Sequence, residues 1–143
     1  MKESIQLDFH FDDLPEGICV ITDNEKEEIL FVNQSLLRMY KCRSREEFLS
    51  ITGGTLRGMV EISDYRPLSE VEHSVAHPLG DDRFYVSFNC RTRDGHFRRM
   101  EGVLSRSVRQ GMGSVWVLSV VPSKTISSLS YRDALTGLLS LPV

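Results

Sequence analysis

The strongest constraint on this chain is a change of period near its middle. From residue 84 the apolar Phe84, Val86, Phe88 and Cys90 alternate with Tyr85, Ser87, Asn89 and Arg91. Side chains of a strand point to opposite faces at every step, so this run predicts a strand with one dry and one wet face. Asp94-Gly95 follows as a tight-turn signal. A second long strand is expected over 97–108, a turn at Gly111-Met112-Gly113, and a third strand over 115–121, stopped by Pro122. Three long antiparallel strands in sequence must bury their dry face against another layer.

That layer is expected upstream. Pro15-Glu16-Gly17 introduces a β-rich run over 18–22, Asp23-Asn24 marks a turn, and 29–32 reads as the returning strand. Asn33 then suits the N-cap of a short helix carrying Leu36, Leu37 and Tyr40. Ser44 and Glu47 have capping-box spacing and open a second helix, ended by Gly53-Gly54. A third helix is expected from Ser63 or Asp64, with Pro67 in its first turn and Leu68, Val71 and Val75 as its apolar stripe. Two strands, three short helices and three long strands make an α+β domain with a five-stranded antiparallel sheet and its helices on one side.

The last strand is apolar on both faces, through Val115, Trp116, Val117, Leu118, Val120 and Val121. A sheet with one wet face alternates more cleanly, so a cover over the outer face is expected. The apolar lead-in of Ile5, Leu7, Phe9, Phe11 and Leu14, and a second copy of the chain, are the candidates, and a homodimer using both is favoured.

At 143 residues the chain has room for one real core. The net charge of -3 does not suit a nucleic-acid surface, and Arg91, Arg93, Arg98 and Arg99 flank the hairpin turn as a solvated edge. No run approaches the roughly 18 apolar residues of a membrane span, and the N-terminus lacks an apolar signal core. The three cysteines, Cys19, Cys42 and Cys90, are an odd count without metal-ligand spacing and read as small buried hydrophobes in a reducing, cytoplasmic compartment.

Leu14-Pro15-Glu16-Gly17-Ile18, Ile29-Leu30-Phe31-Val32-Asn33, Tyr40 with Ser44-Arg45-Glu46-Glu47-Phe48, Asp94-Gly95 and the closing Val-rich strand form an ordered set. Over 14–122 this set resembles a PAS domain. The resemblance implies a curved sheet holding a cavity against the helices, commonly in a homodimer, and a signal passed to a C-terminal effector. Residues 1–13 are then a lead-in or capping segment and 123–132 a signalling linker. Beyond the linker, Asp133-Ala134-Leu135-Thr136-Gly137-Leu138 resembles the D-x-L-T-G-L motif that opens GGDEF domains, the diguanylate cyclases that make cyclic di-GMP. Asp133, Leu135, Thr136 and Gly137 would carry that motif, and 133–143 would be the truncated start of such a domain. Ser140-Leu141-Pro142 stand where that family usually has Asn.

The chain contains no Gly-Gly-Asp/Glu-Glu-Phe loop, G-x-S-x-G or Walker loop, so no catalytic residues are expected in it. Gly53-Gly54-Thr55-Leu56 lacks the acidic pair of a GGDEF loop. His73 and His77 stand four apart on the expected third helix, the element that supplies the proximal ligand in haem-binding PAS domains. At about 100° per residue both fall opposite the Leu68/Val71/Val75 stripe, so neither haem nor another metal is expected. Asn89-Cys90-Arg91 matches three letters of a flavin photosensor motif but lies on a strand, so flavin is not expected either. A small organic ligand remains the open cofactor question. Its candidate lining is Ile21, Phe31, Leu37, Tyr40, Phe48, Leu68, Val71, Phe88 and Leu118, with Asn89 and Arg91 as polar positions to watch. The expected function is a sensory module regulating a cyclic di-GMP enzyme; a ligand-free dimerisation scaffold and a haem-based gas or redox sensor are the alternatives.

Overall fold

A computed structural model of the chain describes residues 14–74, 77–80, 82–111 and 113–123. The chain runs β1 (Gly17–Thr22), β2 (Ile29–Val32), α1 (Gln34–Met39), α2 (Arg45–Thr52) and α3 (Leu56–Met59). A 3-10 turn (Ile62–Asp64) and α4 (Leu68–Ser74) lead to β3 (His77–Gly80), β4 (Arg83–Arg91), β5 (Phe97–Arg109) and β6 (Gly113–Pro122). The strands form one antiparallel sheet in the order β2-β1-β6-β5-β4-β3. The five expected strands are present, and the short β3 adds a sixth at the edge beside β4.

Pairing across the sheet sorts the residues by face. Phe84, Leu104, Leu118, Cys19 and Val32 stand in one row, and Trp116 and Ile21 in the next. All are buried in one core with Leu36, Leu37 and Tyr40 of the α1 region and Phe48 of α2. The other face also buries apolar side chains: Ile18, Val20 and Val115 are 5%, 2% and 1% exposed. On β6 the outer face is buried at Val115 and only partly buried at Val117 and Val121. The lead-in over 1–13 and the linker from residue 124, invoked as cover or relay, lie outside the described residues.

Local chemistry explains the first half of the chain. Asn33 is fully buried, and its side-chain oxygen caps α1 by accepting the Leu36 amide at 3.0 Å. The same oxygen accepts the Ile18 amide of β1 at 2.8 Å, while its NH2 donates to the Glu16 carbonyl at 3.0 Å. One carboxamide thus joins the start of β1, the end of β2 and the start of α1. Gly17 lets α1 approach this closely, since a Cβ there would stand 2.7 Å from Leu36 Cδ1. Ser44 caps α2 through the Glu47 amide at 3.1 Å. Glu47 returns its carboxylate to the Arg43 amide at 2.7 Å, one residue outside the usual capping-box partner. Gly53, at φ 70°, supplies the left-handed residue that ends α2.

The third expected helix is divided. Residues 62–64 make a 3-10 turn, Tyr65 is extended, and the helix begins only at Leu68. Pro67 disfavours helical backbone at Arg66. In addition, Glu61 donates its amide to the Asn89 carbonyl at 2.7 Å, and Asp64 accepts the Asn89 amide at 2.8 Å. These bonds hold the segment against the edge of β4. The helix ends at Ser74 and His77 pairs with Tyr85 in β3, so the four-residue spacing of His73 and His77 does not place them on one helix.

At the far end of the sheet, Asp23 accepts bonds from Ser114 Oγ at 2.7 Å and Trp116 Nε1 at 2.9 Å. Arg106 lies 3.7 Å from the same carboxylate and its guanidinium covers the Trp116 ring at 4.7 Å. Burial alone would raise the Asp23 pKa, but the Ser114 and Trp116 bonds and Arg106 outweigh it and hold the carboxyl below its ordinary value.

Two predictions follow from these contacts. Asn33→Ala should cost roughly 2–4 kcal/mol in urea unfolding, since it removes a cap and strands the Ile18 amide; a loss under about 0.5 kcal/mol would sink this role. For Asp23, a lowered folded pKa means stability that is present above the unfolded value and lost as pH falls through the folded one. Fluorescence of the single tryptophan, Trp116, should therefore show wild type losing more stability than Asp23→Asn between pH 6 and pH 3. Parallel pH curves for the two proteins would contradict it.

Candidate functional site

A cavity of about 360 Å³ lies between the helical segments and the sheet, within the size range of small-molecule sites. Leu56 and Val60 line it from α3 and its end, Leu68 and Val71 from α4, and Val86, Phe88, Leu104 and Leu118 from β4, β5 and β6. Its polar lining is Asp64, Tyr65, Arg66, Tyr85, Ser87 and Arg99. Arg66 is exposed and marks the mouth.

The wall between the first hairpin and α4 is held by Glu27. This residue is only 4% exposed and sits in the left-handed region at φ 49°. Its carbonyl accepts the Leu56 amide at 3.0 Å, which starts α3. Its carboxylate accepts the Tyr65 hydroxyl on one oxygen and the Leu68 amide on the other, the latter at 2.7 Å. Burial, then the bond to Glu27, pushes the Tyr65 pKa up, so the phenol stays a donor. One residue of the hairpin turn therefore fixes α3, the extended Tyr65 and the first turn of α4.

The other polar groups at the cavity are engaged as well. Asp64 accepts the Asn89 amide and also faces Arg99, at 3.4 Å. The Tyr85 hydroxyl donates to Glu101, which is buried within β5. The arginines around the β4–β5 turn mostly serve the fold. Arg93 reaches the Lys41 carbonyl and Glu47, Arg98 donates to the Met39 carbonyl at 3.0 Å, and Arg91 stacks on Phe97.

Of the lining expected from sequence, Leu68, Val71, Phe88 and Leu118 do face the cavity. Ile21, Leu37, Tyr40 and Phe48 instead fill the neighbouring core, where Tyr40 and Phe48 meet edge to face at 5.0 Å. Phe31 pairs with Val20, which points to the outer face of the sheet, so Phe31 is turned away from the helices. The register irregularity at the next step, where Leu30 is the extra residue of β2, is what lets Ile29 face the core although it stands two residues from Phe31. Asn89 uses its backbone to anchor the 3-10 segment, and neither Asn89 nor Arg91 lines the cavity. Sequence reasoning missed Leu56, Val60, Asp64, Tyr65, Arg66 and Arg99, and with them Tyr85, Val86, Ser87 and Leu104 of the sheet. The Pro67 signal could have placed Tyr65 and Arg66 outside a helix, but nothing local reports that Asp64 meets Arg99.

The core beside the cavity is rich in sulfur. Cys19 Sγ lies 3.8 Å from Met59 Sδ, and the Tyr40 hydroxyl donates to the Met59 carbonyl at 2.9 Å. All three cysteines are buried and free. Burial pushes the Cys90 thiol up to about 11, only partly offset by Tyr40 and Arg98, and raises Cys19 and Cys42 as well. Protonated, sequestered thiols of this kind suit packing rather than nucleophilic chemistry. Among the described residues no group of three or more His, Cys, Asp or Glu side chains could hold a metal ion. No described helix is long and apolar enough to cross a membrane.

The PAS-domain family model matches residues 6–76. No curated protein sequence matches the chain. Among solved structures, a PAS domain from a two-component sensor histidine kinase is 19% identical, with a TM-score of 0.59 over 78% of this chain and 88% of that one. The PAS domain of an HTR-like protein from Haloarcula marismortui is 17% identical, with a TM-score of 0.60 over 78% and 84%. The PAS domain of a protein from Colwellia psychrerythraea is 16% identical, with a TM-score of 0.53 over 76% and 87%.

If Glu27 holds the cavity wall, Glu27→Gln should destabilise the domain by about 2 kcal/mol, because an amide can satisfy only one of the two donors aimed at that carboxylate. The Leu68 amide should also exchange with solvent about tenfold faster or more than global unfolding accounts for. A Leu68 amide that remains as protected as in wild type would rule out the role.

Proposed function

We propose that this chain, which carries a PAS domain, is the sensory and regulatory part of a cyclic di-GMP signalling protein. The observation that carries the sensory half is the cavity, apolar inside and polar at its mouth, walled by α4 on one side and by β4, β5 and β6 on the other. A ligand there touches β6 directly through Leu118, and β6 leads straight into the linker at Ser123. The output half rests on Asp133-Ala134-Leu135-Thr136-Gly137-Leu138, which resembles the motif opening a GGDEF domain and lies outside the described residues. In this reading the chain itself performs no catalytic step. It acts in the cytoplasm as a homodimer, packed through the outer-face residues that the single chain leaves partly exposed, Val103, Val117 and Val121. Ligand occupancy changes the position of β6, the linker transmits it, and two cyclase domains meet differently.

A ligand-free scaffold is the second reading, favoured by the filled core of Ile21, Leu37, Tyr40 and Phe48 next to the cavity. The two separate in the full-length protein. Val71→Phe, which fills the cavity, should change the rate of cyclic di-GMP formation from GTP severalfold and abolish its response to the stimulus. Under the scaffold reading it leaves both unchanged. Removal of residues 14–122 without effect on cyclic di-GMP output under any stimulus would reject both.

A further inference from the structure

We infer that the cavity takes a small amphipathic carboxylate, with its chain among Leu56, Leu68, Val71, Phe88 and Leu104 and its carboxylate at Arg66. This rests on the sensory reading above and names the chemical class of the ligand. The cavity interior is aliphatic and aromatic, which selects an apolar body. Selectivity must then come from the polar groups at its edge, and most of these are already engaged. The Tyr65 hydroxyl is given to Glu27, and the Tyr85 hydroxyl to Glu101. Asp64 takes the Asn89 amide and pairs with Arg99, so neither that carboxylate nor that guanidinium is the first choice of an incoming charge.

Arg66 differs. Its only hydrogen bond or ion pair among the described residues is a long bond, 3.4 Å, to the carbonyl of its own neighbour Tyr65. Its planar, always-charged fork remains open to a bidentate acceptor. Pro67 keeps it out of α4, and the Glu27–Tyr65 bond fixes the residue before it, so the backbone that carries the guanidinium is set in advance. The charges lining the cavity are Asp64, Arg66 and Arg99, an excess of one positive charge. An amine ligand meets this excess unfavourably, and a neutral one leaves the guanidinium unused. A carboxylate at the mouth keeps part of its hydration while its chain is buried, which avoids the cost of a fully buried charge.

The test is calorimetry on the purified protein with three probes of equal length, octanoate, octan-1-ol and octylamine, together with methyl NMR of the same samples. Octanoate should bind about tenfold or more tighter than either of the others and shift the methyls of Leu68 and Val71. Arg66→Gln should remove that preference while leaving octan-1-ol binding unchanged, which also shows that the variant is folded. If octan-1-ol binds as well as octanoate, or Arg66→Gln weakens both alike, the carboxylate assignment is wrong and the sensory reading stands. Binding of none of the three probes overturns the assignment too; the sensory reading is then decided separately by the cyclic di-GMP response of Val71→Phe. Octanoate binding that leaves the Leu68 and Val71 methyls unmoved places the ligand elsewhere and overturns the inference.

Discussion

Glu27 is the point on which the helical side of this domain depends. A carboxylate with 4% exposure is expensive to bury unless each oxygen finds donors, and here Tyr65 and the Leu68 amide supply them from two different segments. Because its own carbonyl also starts α3, the same residue sets where three consecutive pieces of chain lie relative to the first hairpin. The cavity is the space left when those pieces are held away from β4 and β5. Loosening Glu27 would let Leu68 and Val71 settle onto Phe88 and Leu104, as apolar surfaces do when nothing holds them apart.

On the sheet side, two polar fixtures do the corresponding work. Asn33 locks β1, β2 and α1 together at one end, and Asp23 with Arg106 and Trp116 joins β1, β5 and β6 at the other. Between them Gly102 lets β5 press against β6, since a Cβ there would fall 1.8 Å from the Ser119 carbonyl oxygen. The result is a firm sheet facing a helical wall tied by fewer bonds, an arrangement in which a ligand is read most easily as a displacement of α4 or of β6. The charged residues follow the same economy. Arg93, Arg98 and Arg99 are bound into the fold, leaving Arg66 as the guanidinium at the cavity mouth with least to hold it.

Much of this was legible in the chain itself. Asn33 and Ser44 announce their helices because a cap is a contact over three residues, and Gly53 ends one because few other residues take its backbone angle without strain. The period of two from residue 84 and the Asp94-Gly95 turn gave the long strands for the same local reason. The reading failed from residue 55 to residue 68, where the short helix Leu56–Met59 was not expected and a helix was expected to begin at Ser63 or Asp64 rather than at Leu68. There Pro67 should have weighed more heavily, and the bonds to Asn89 could not be seen. It also failed at Phe31, whose apolar character suited either face of β2 and whose side follows from its pairing with Val20, while the extra residue Leu30 in β2 lets Ile29 face the core.

What the sequence determined by itself is therefore the order of elements, their caps and turns, and the apolar character of both faces of the last strand. Each of these rests on contacts within a few residues or on a simple period, which the chain carries wherever it goes. The tertiary structure decided which apolar residues line a cavity and which fill the core, and which arginine is left to meet a ligand. Glu27 finds Leu68 across 41 residues and Asp64 finds Asn89 across 25. Burial and hydrogen-bond satisfaction at such distances depend on every segment being in place at once, so no local pattern can encode them.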